Sequence, residues 1–225
     1  NWQFEAGVRF DYVYMDVYKF YKKTLWEERG YDTQFPDLVV DELGFQVLTN
    51  LELEFNNFSG TLGLTNTLSE KSKLFMNHSI ASRAPNVSEL VSEGLHHSIA
   101  RIEIGDLRFK SEVGHKTSLT YEFVAEKLNF SINPFINNIK DFIVIEPVEL
   151  VETIRGNFPS WEYRQTNAQL FGVDVDASLK INNNFNLKHQ LSIVKGYDKD
   201  RDLPLINMPP ITTKNVISYL SLIHI

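Results

Sequence analysis

Apolar and polar side chains alternate over the first twelve residues of the chain, as in a strand with one apolar face. The apolar positions are Trp2, Phe4, Ala6, Val8, Phe10 and Tyr12, and between them lie Asn1, Gln3, Glu5, Gly7, Arg9 and Asp11. The same period of two returns at residues 128–136 and 171–180, with weaker copies at 58–64, 119–123 and 185–193. The pattern therefore predicts an all-β protein. Pro134 interrupts one segment and, because proline lacks the N–H that a ladder needs, it predicts a bulge.

The connections between these segments alternate in length. Short polar turns occur at residues 69–72, 125–127 and 182–184, and long connections at 19–57, 84–112, 144–166 and 196–210. About eight strands fit between them. This asymmetry is typical of an antiparallel up-and-down transmembrane β-barrel, which has short periplasmic turns and long extracellular loops. Asp174 and Asp176 would then line a wet lumen. A soluble β-sandwich also has alternating strands and stays open as an alternative.

Composition narrows the function classes. The 225 residues carry a formal net charge of -7, which argues against a nucleic-acid partner. Cysteine is absent from the sequence, which excludes disulfides, thiolate catalysis and cysteine-ligated metals. The sequence has no apolar run long enough for a transmembrane helix, so a membrane role would fall to strands. It also contains no Gly-x-Ser-x-Gly elbow, phosphate loop or His-Glu-x-x-His motif, so an enzyme is not predicted.

A more specific signal lies in residues 77–112. The segment contains Arg83-Ala84-Pro85-Asn86, then Gly94-Leu95-His96-His97, then Arg101-Ile102-Glu103-Ile104-Gly105. It resembles the barrel of TonB-dependent outer-membrane receptors, particularly those of the Bacteroidetes lineage. Further matches follow in family order at residues 138–143, 161–174 and 209–210. Residues 106–112 depart from the family pattern because they lack its two prolines, and residues 19–57 have no recognisable counterpart.

The resemblance implies a location in the bacterial outer membrane and a role in active transport. Such receptors have a barrel of about 22 strands with a plugged lumen. Residues 1–225 are then expected to be an interior part of the barrel domain, with the plug and the remaining strands outside this chain.

The partners that the resemblance implies are membrane lipid, the TonB energy-transducing complex, which acts through the plug, and a scarce nutrient as cargo. An iron complex of the siderophore type or a metal ion is the first expectation, and heme, cobalamin and glycans are other cargoes. No resident cofactor is implied. A small self-standing barrel with an adhesive or enzymatic role is the other membrane alternative.

Two sets of residues in the second long connection are candidate sites. His96 and His97, with Glu93, combine the imidazole and carboxylate groups that suit zinc, copper or iron. Adjacent histidines diverge on an extended chain, so this site would require the loop to bend. The alternative is that the pair packs on the plug or on a neighbouring loop.

The second set is Arg83, Arg101 and Glu103, predicted to bind ligand. Guanidinium groups match the carboxylates of an anionic ligand such as a ferric siderophore. Arg164 is a further candidate for the same role. The alternative is that these arginines hold loop carboxylates such as Glu103 in place.

Overall fold

The computed structural model describes residues 1–221, which form one large sheet with short helices in its connections. Eight long strands follow one another across the sheet, each antiparallel to the next, and we call them the wall. They are β1 (Trp2–Lys22), β3 (Gln46–Ser69), β4 (Ser72–Arg83), β7 (Glu112–Val124), β8 (Leu128–Thr153), β9 (Gly156–Lys180), β10 (Phe185–Asp198) and β12 (Thr212–Tyr219). The predicted up-and-down β-barrel architecture is confirmed. The β-sandwich alternative is wrong, because all twelve strands of residues 1–221 belong to a single sheet.

Shorter elements occupy the outer connections. The first connection contains α1 (Lys23–Glu28), α2 (Tyr31–Gln34), a 3-10 turn (Pro36–Leu38) and β2 (Val39–Leu43). The second contains α3 (Val87–Val91) and a hairpin of β5 (Glu93–His96) and β6 (Arg101–Ile104), and the last contains β11 (Leu203–Pro204). Within the described residues, no helix is long and apolar enough to cross a membrane.

Strand register separates the wall into an apolar face and a polar face. One row of paired residues on the apolar face runs across five strands as Leu74, Tyr121, Ile132, Val175 and Leu191. The adjacent row points to the other face and reads Lys73, Glu122, Ser131, Asp176, Gln190 and Lys214. The apolar face is uncovered, and Phe4 and Val8 are 68% and 81% exposed. A continuous exposed apolar surface of this kind suits contact with lipid, while the polar face suits a lumen.

The outer parts of the wall differ from the predicted loops. Residues 144–166 are not a loop, because β8 and β9 continue through them and only Ile154 and Arg155 separate the two strands. Residues 19–57 are likewise partly strand, since β1 extends to Lys22 and β3 begins at Gln46. These hairpins lie beyond the apolar face, where a strand no longer needs strict alternation.

The bulge predicted at Pro134 is also wrong. The β7–β8 pairs Ser118↔Phe135 and Tyr121↔Ile132 keep one register on both sides of the proline, so only the local pairing is lost. The register of the β8–β9 pair shifts instead between Ile139 and Phe142. Asp141 in this shift has a positive φ of 55°.

The second outer connection fills a gap in the wall. Strands β4 and β7 end at Arg83 and Glu112, while the hairpins on either side continue outward. The edges of β3 and β8 would otherwise have unpaired backbone groups. A buried cluster closes this gap, and we call it the outer core; it consists of Tyr21, Trp26, Tyr31, Val47, Leu51, Leu90, Leu107, Phe109 and Ile143. Residues 19–57, which have no recognisable counterpart in the family pattern, supply five of these nine side chains.

Candidate functional site in the outer loops

The first and second outer connections are joined by hydrogen bonds around Tyr31. Its hydroxyl donates to Asp106 Oδ1 at 3.0 Å and accepts the backbone N–H of Leu107 at 3.2 Å. Arg29 Nη1 donates to the carbonyl of Gly105 at 2.5 Å. The Tyr31 ring meets Trp26 edge to face, with 5.3 Å between centroids. Both connections therefore behave as one packed unit, and sequence reasoning missed its first half. The available signal was the aromatic density of residues 18–35.

Arg83 forms ion pairs with residues at both ends of the second connection. Its Nε donates to Glu112 Oε2 at 2.8 Å, and its two terminal nitrogens donate to Glu89 at 3.0 and 3.2 Å. Glu89 in turn accepts the backbone N–H of Asn86 at 2.7 Å, at the start of α3. Glu112 Oε1 accepts the N–H of Ile143 at 2.6 Å. The hydrogen bond to Glu112 raises the pKa of Arg83, and Glu89 adds to this effect.

Arg101 and Glu103 lie together on β6. Arg101 Nε donates to Glu103 Oε1 at 2.7 Å, and its guanidinium lies 4.9 Å from the centroid of the Trp161 ring. Strand β6 pairs in parallel with β9 through Ile102↔Ser160. Glu103 is buried, with 7% exposure. The parallel pairing with β9 and the contact with Trp161 therefore fix the β5–β6 hairpin against the wall.

His96 and His97 are exposed at the tip of that hairpin. His96 Nδ1 lies 3.0 Å from Ser98 Oγ. Glu93 is engaged elsewhere, with Oε2 3.4 Å from Lys19 Nζ. Burial lowers the pKa of Lys19, although Glu93 opposes the shift. Across residues 1–221, no group of three or more His, Asp or Glu side chains is placed to hold a metal ion.

A further charged network links β8, β9 and the last outer connection. Arg164 donates to both carboxylate oxygens of Glu146, at 2.6 and 2.7 Å, and to Asp198 Oδ2 at 2.5 Å. Arg201 Nη1 also donates to Glu146 Oε2, at 2.9 Å. Burial alone would raise the pKa of Asp198, but hydrogen bonds from Thr166 and Arg164 lower it to about 2. The sequence pointed to Arg164 but not to its partners. Their only sequence signal was the alternation of acids and bases in residues 198–202.

The polar face below these loops has a groove of about 620 Å³, lined in part by the polar row described above. Asp176 in this lining accepts a hydrogen bond from Gln190 at 2.6 Å, and Asp174, further along the same face of β9, accepts one from Ser192 at 2.6 Å. The arrangement is a polar, hydrogen-bonded lining without an acid–base pair. Chemically, these residues can bind and guide a polar solute.

Comparison with solved structures gives the same fold. The copper transporter OprC is 20% identical over 77% of this chain and 25% of that chain, with a TM-score of 0.64. The ferric enterobactin receptor PfeA of Pseudomonas aeruginosa is 18% identical over 77% and 28%, with a TM-score of 0.56. The siderophore receptor PirA of Acinetobacter baumannii is 15% identical over 97% and 40%, with a TM-score of 0.55. At these identities the likeness concerns the fold, and the chain spans a quarter to two fifths of the length of these three proteins.

No curated protein matches the sequence. A family model, described as TonB dependent receptor-like, beta-barrel, matches residues 1–222. Proteins of this family are transport receptors of the Gram-negative outer membrane rather than enzymes. The chain therefore belongs to the TonB-dependent receptors and forms part of the wall of an outer-membrane barrel.

Proposed function

We propose that this chain is part of a receptor that captures a ferric siderophore at the cell surface and admits it through the barrel, with energy delivered through TonB. The observation that carries the proposal is the combination of a polar inner face with outer loops that are packed into one unit. Such loops can present a preformed surface to a ligand, which lowers the entropic cost of binding. Of the three similar proteins named above, two are described as a ferric enterobactin receptor and a siderophore receptor.

The direct contacts to cargo are part of the proposal. Arg83 and Arg101 are predicted ligand contacts, yet their guanidinium groups are paired with Glu89, Glu112 and Glu103. An anionic ligand would have to compete with these carboxylates. We therefore place the first contact at residues 95–100, the exposed tip of the β5–β6 hairpin, and assign the arginines to ordering the surface beneath it.

An uptake assay tests this function. Cells without the gene for the full-length receptor should lose uptake of at least one radiolabelled ferric siderophore from a panel of catecholates and hydroxamates. The wild-type gene should restore uptake, and a strain without TonB should fail to respond to it. Wild-type uptake of every iron complex in the deletion strain would contradict the proposal.

A metal ion is the second candidate cargo. The observation that favours it is the exposure of two adjacent imidazoles at the hairpin tip, and one similar structure is described as a copper transporter. Calorimetry of the full-length receptor with copper, zinc and iron should show at least tenfold weaker binding in a His96→Ala/His97→Ala variant. His189→Ala, a histidine on the wall, is the matched control. Unchanged affinity in the double variant would remove the metal candidate.

A further inference from the structure

A pocket of about 430 Å³ lies on the apolar face of the wall, on the side opposite the polar groove. It is built by strands β7, β8 and β9 and by the first residues of the last outer connection, so this chain supplies all of it. The side chains that define its chemistry are His115, Asn138, Lys140, Asn167, Lys199 and Asp200.

The register locates this pocket at the outer limit of the apolar face. His115 pairs with Asn138, and Asn138 pairs with Gln169. Two residues further toward the periplasm, the same face carries Ile136 paired with Phe171. The polar pocket therefore begins directly above the last apolar pair of β8 and β9. In a membrane, this is the depth at which hydrocarbon gives way to lipid head groups.

Across residues 1–221, the lysines of the pocket lack carboxylate partners, unlike Arg83, Arg101 and Arg164 in the outer part of the sheet. Lys140 and Lys199 are exposed, and within the described residues no carboxylate lies in ion-pair distance of either amine. Asp200, the one acid of the lining, accepts hydrogen bonds from the backbone and the side chain of Asn167 at 2.8 and 3.0 Å and from Thr166 at 3.1 Å. Two ammonium groups are thus left for an external anion.

The amide groups of the lining favour the same kind of ligand. Asn138 accepts a hydrogen bond from Gln169 Nε2 at 2.8 Å through Oδ1, so its own N–H₂ group remains a donor. An ammonium and an amide N–H suit phosphate oxygens, which accept hydrogen bonds. Below the pocket, Phe171 and Tyr197 are stacked at 6.0 Å with an interplanar angle of 3°. This flat apolar surface is placed to contact an acyl chain.

We propose that the pocket binds the phosphate of a lipid head group in the outer leaflet. A lipid is favoured over free phosphate because the cationic site continues into the apolar face without a break. Its acyl chains would lie along β8, β9 and β10 while Lys140 and Lys199 hold the phosphate. Lys195, beside Phe171 on the same face, lies close enough in the register to extend a flexible amine toward the same head group.

The test uses the full-length receptor in an uncharged detergent, with diphosphorylated lipid A, fully dephosphorylated lipid A or inorganic phosphate as separate probes. Native mass spectrometry gives the affinity for each lipid, and thermal shift gives the response to phosphate. The variant is Lys140→Gln/Lys199→Gln. The matched control is Lys127→Gln/Lys180→Gln, which removes the same charge at the periplasmic end of the wall. Heat-dependent migration in electrophoresis checks that each barrel is folded.

The wild type and the control should bind the diphosphorylated lipid with equal affinity. The pocket variant should bind it roughly 10- to 30-fold more weakly, since each lysine near an anionic lipid surface contributes about fivefold. Equal affinity of all three proteins would overturn the proposal, as would equal binding of the dephosphorylated lipid. Stabilisation by inorganic phosphate alone, at concentrations similar to the lipid, would overturn the assignment to a lipid. Because none of these readouts involves uptake, the result is independent of the cargo proposed above.

Discussion

Replacing Arg83 with lysine should loosen the connection between β4 and β7 while the wall stays folded. Arg83 donates to Glu112 and, through two nitrogens, to Glu89. The single ammonium of lysine cannot reproduce this forked geometry. Glu112 suffers most, because only 11% of its side chain is accessible and one of its oxygens would lose its partner.

The magnitude follows from these contacts. The Arg83 side chain is 42% accessible, so its pair with Glu89 is screened by solvent and contributes about 0.2–1 kcal/mol. Leaving a mostly buried carboxylate oxygen without a donor costs about 1–3 kcal/mol. Together these give a loss of about 2 kcal/mol in local stability. At about 1.4 kcal/mol for each tenfold, amides that exchange through opening of this connection should exchange roughly 30-fold faster.

Hydrogen exchange with mass spectrometry on the full-length receptor measures this directly in peptides from residues 84–111. Arg155→Lys is the control, because this exposed arginine at the β8–β9 turn has no ion pair within residues 1–221. It should leave exchange unchanged everywhere. If Arg83→Lys exchanged like the wild type but lost ligand affinity, Arg83 would be a ligand contact and not an ordering residue.

Three further variants test other parts of the structure. Tyr31→Phe removes the acceptor of the buried Leu107 N–H, so the second outer connection should exchange roughly tenfold faster, while Tyr18→Phe on the exposed side of β1 should have no effect. Asp198 has a pKa of about 2, below the usual 3.8, so its ionised form stabilises the last outer connection above about pH 4 and this contribution is lost as the pH falls through about 2. Asp198→Asn should abolish that acid dependence in exchange measurements of residues 196–202. Gly172→Ala would bring a Cβ within 2.2 Å of a carbonyl oxygen in β10, so the folded fraction on electrophoresis should fall, and wild-type folding would show that the strands can separate there.

The alternation of apolar and polar residues predicts the strands of the wall wherever one face of the wall is apolar and the other is polar. In the first twelve residues, one face contacts lipid and the other the lumen, so alternation is strict and β1 is recognised. Further out, residues 144–166 pair with β6 and pack against the outer loops, so neither face requires strict alternation and the pattern fades. Prolines at positions 147 and 159 then indicate a loop, whereas the structure has a long hairpin whose pairing is irregular between Pro147 and Leu150. The hairpin is defined by the pairing of β8 with β9 and of β9 with β6, which the local sequence pattern does not show.

Motifs in the second connection identified important residues but not their partners. Arg83 and Glu89 are six residues apart, and that pair was within reach of sequence reasoning. Lys19 and Glu93 lie 74 positions apart, and nothing in the sequence brings them together. Glu93 was consequently assigned to the histidines, although the structure gives it a lysine partner. That partner lies in residues 19–57, the segment that sequence reasoning left without structure.

The pairing of charges indicates where cargo selectivity should be sought. The three arginines that the sequence suggests as ligand contacts, Arg83, Arg101 and Arg164, each form an ion pair with at least one carboxylate, so the net charge that they offer to a ligand is small. Substituting them would disturb loop order and ligand binding at the same time, and the two effects would be hard to separate. Residues 95–100 project from the hairpin that β6 anchors to β9, and their exposed side chains can change without breaking an ion pair. Exchange of this tip between related receptors should therefore transfer cargo preference while the wall keeps its stability.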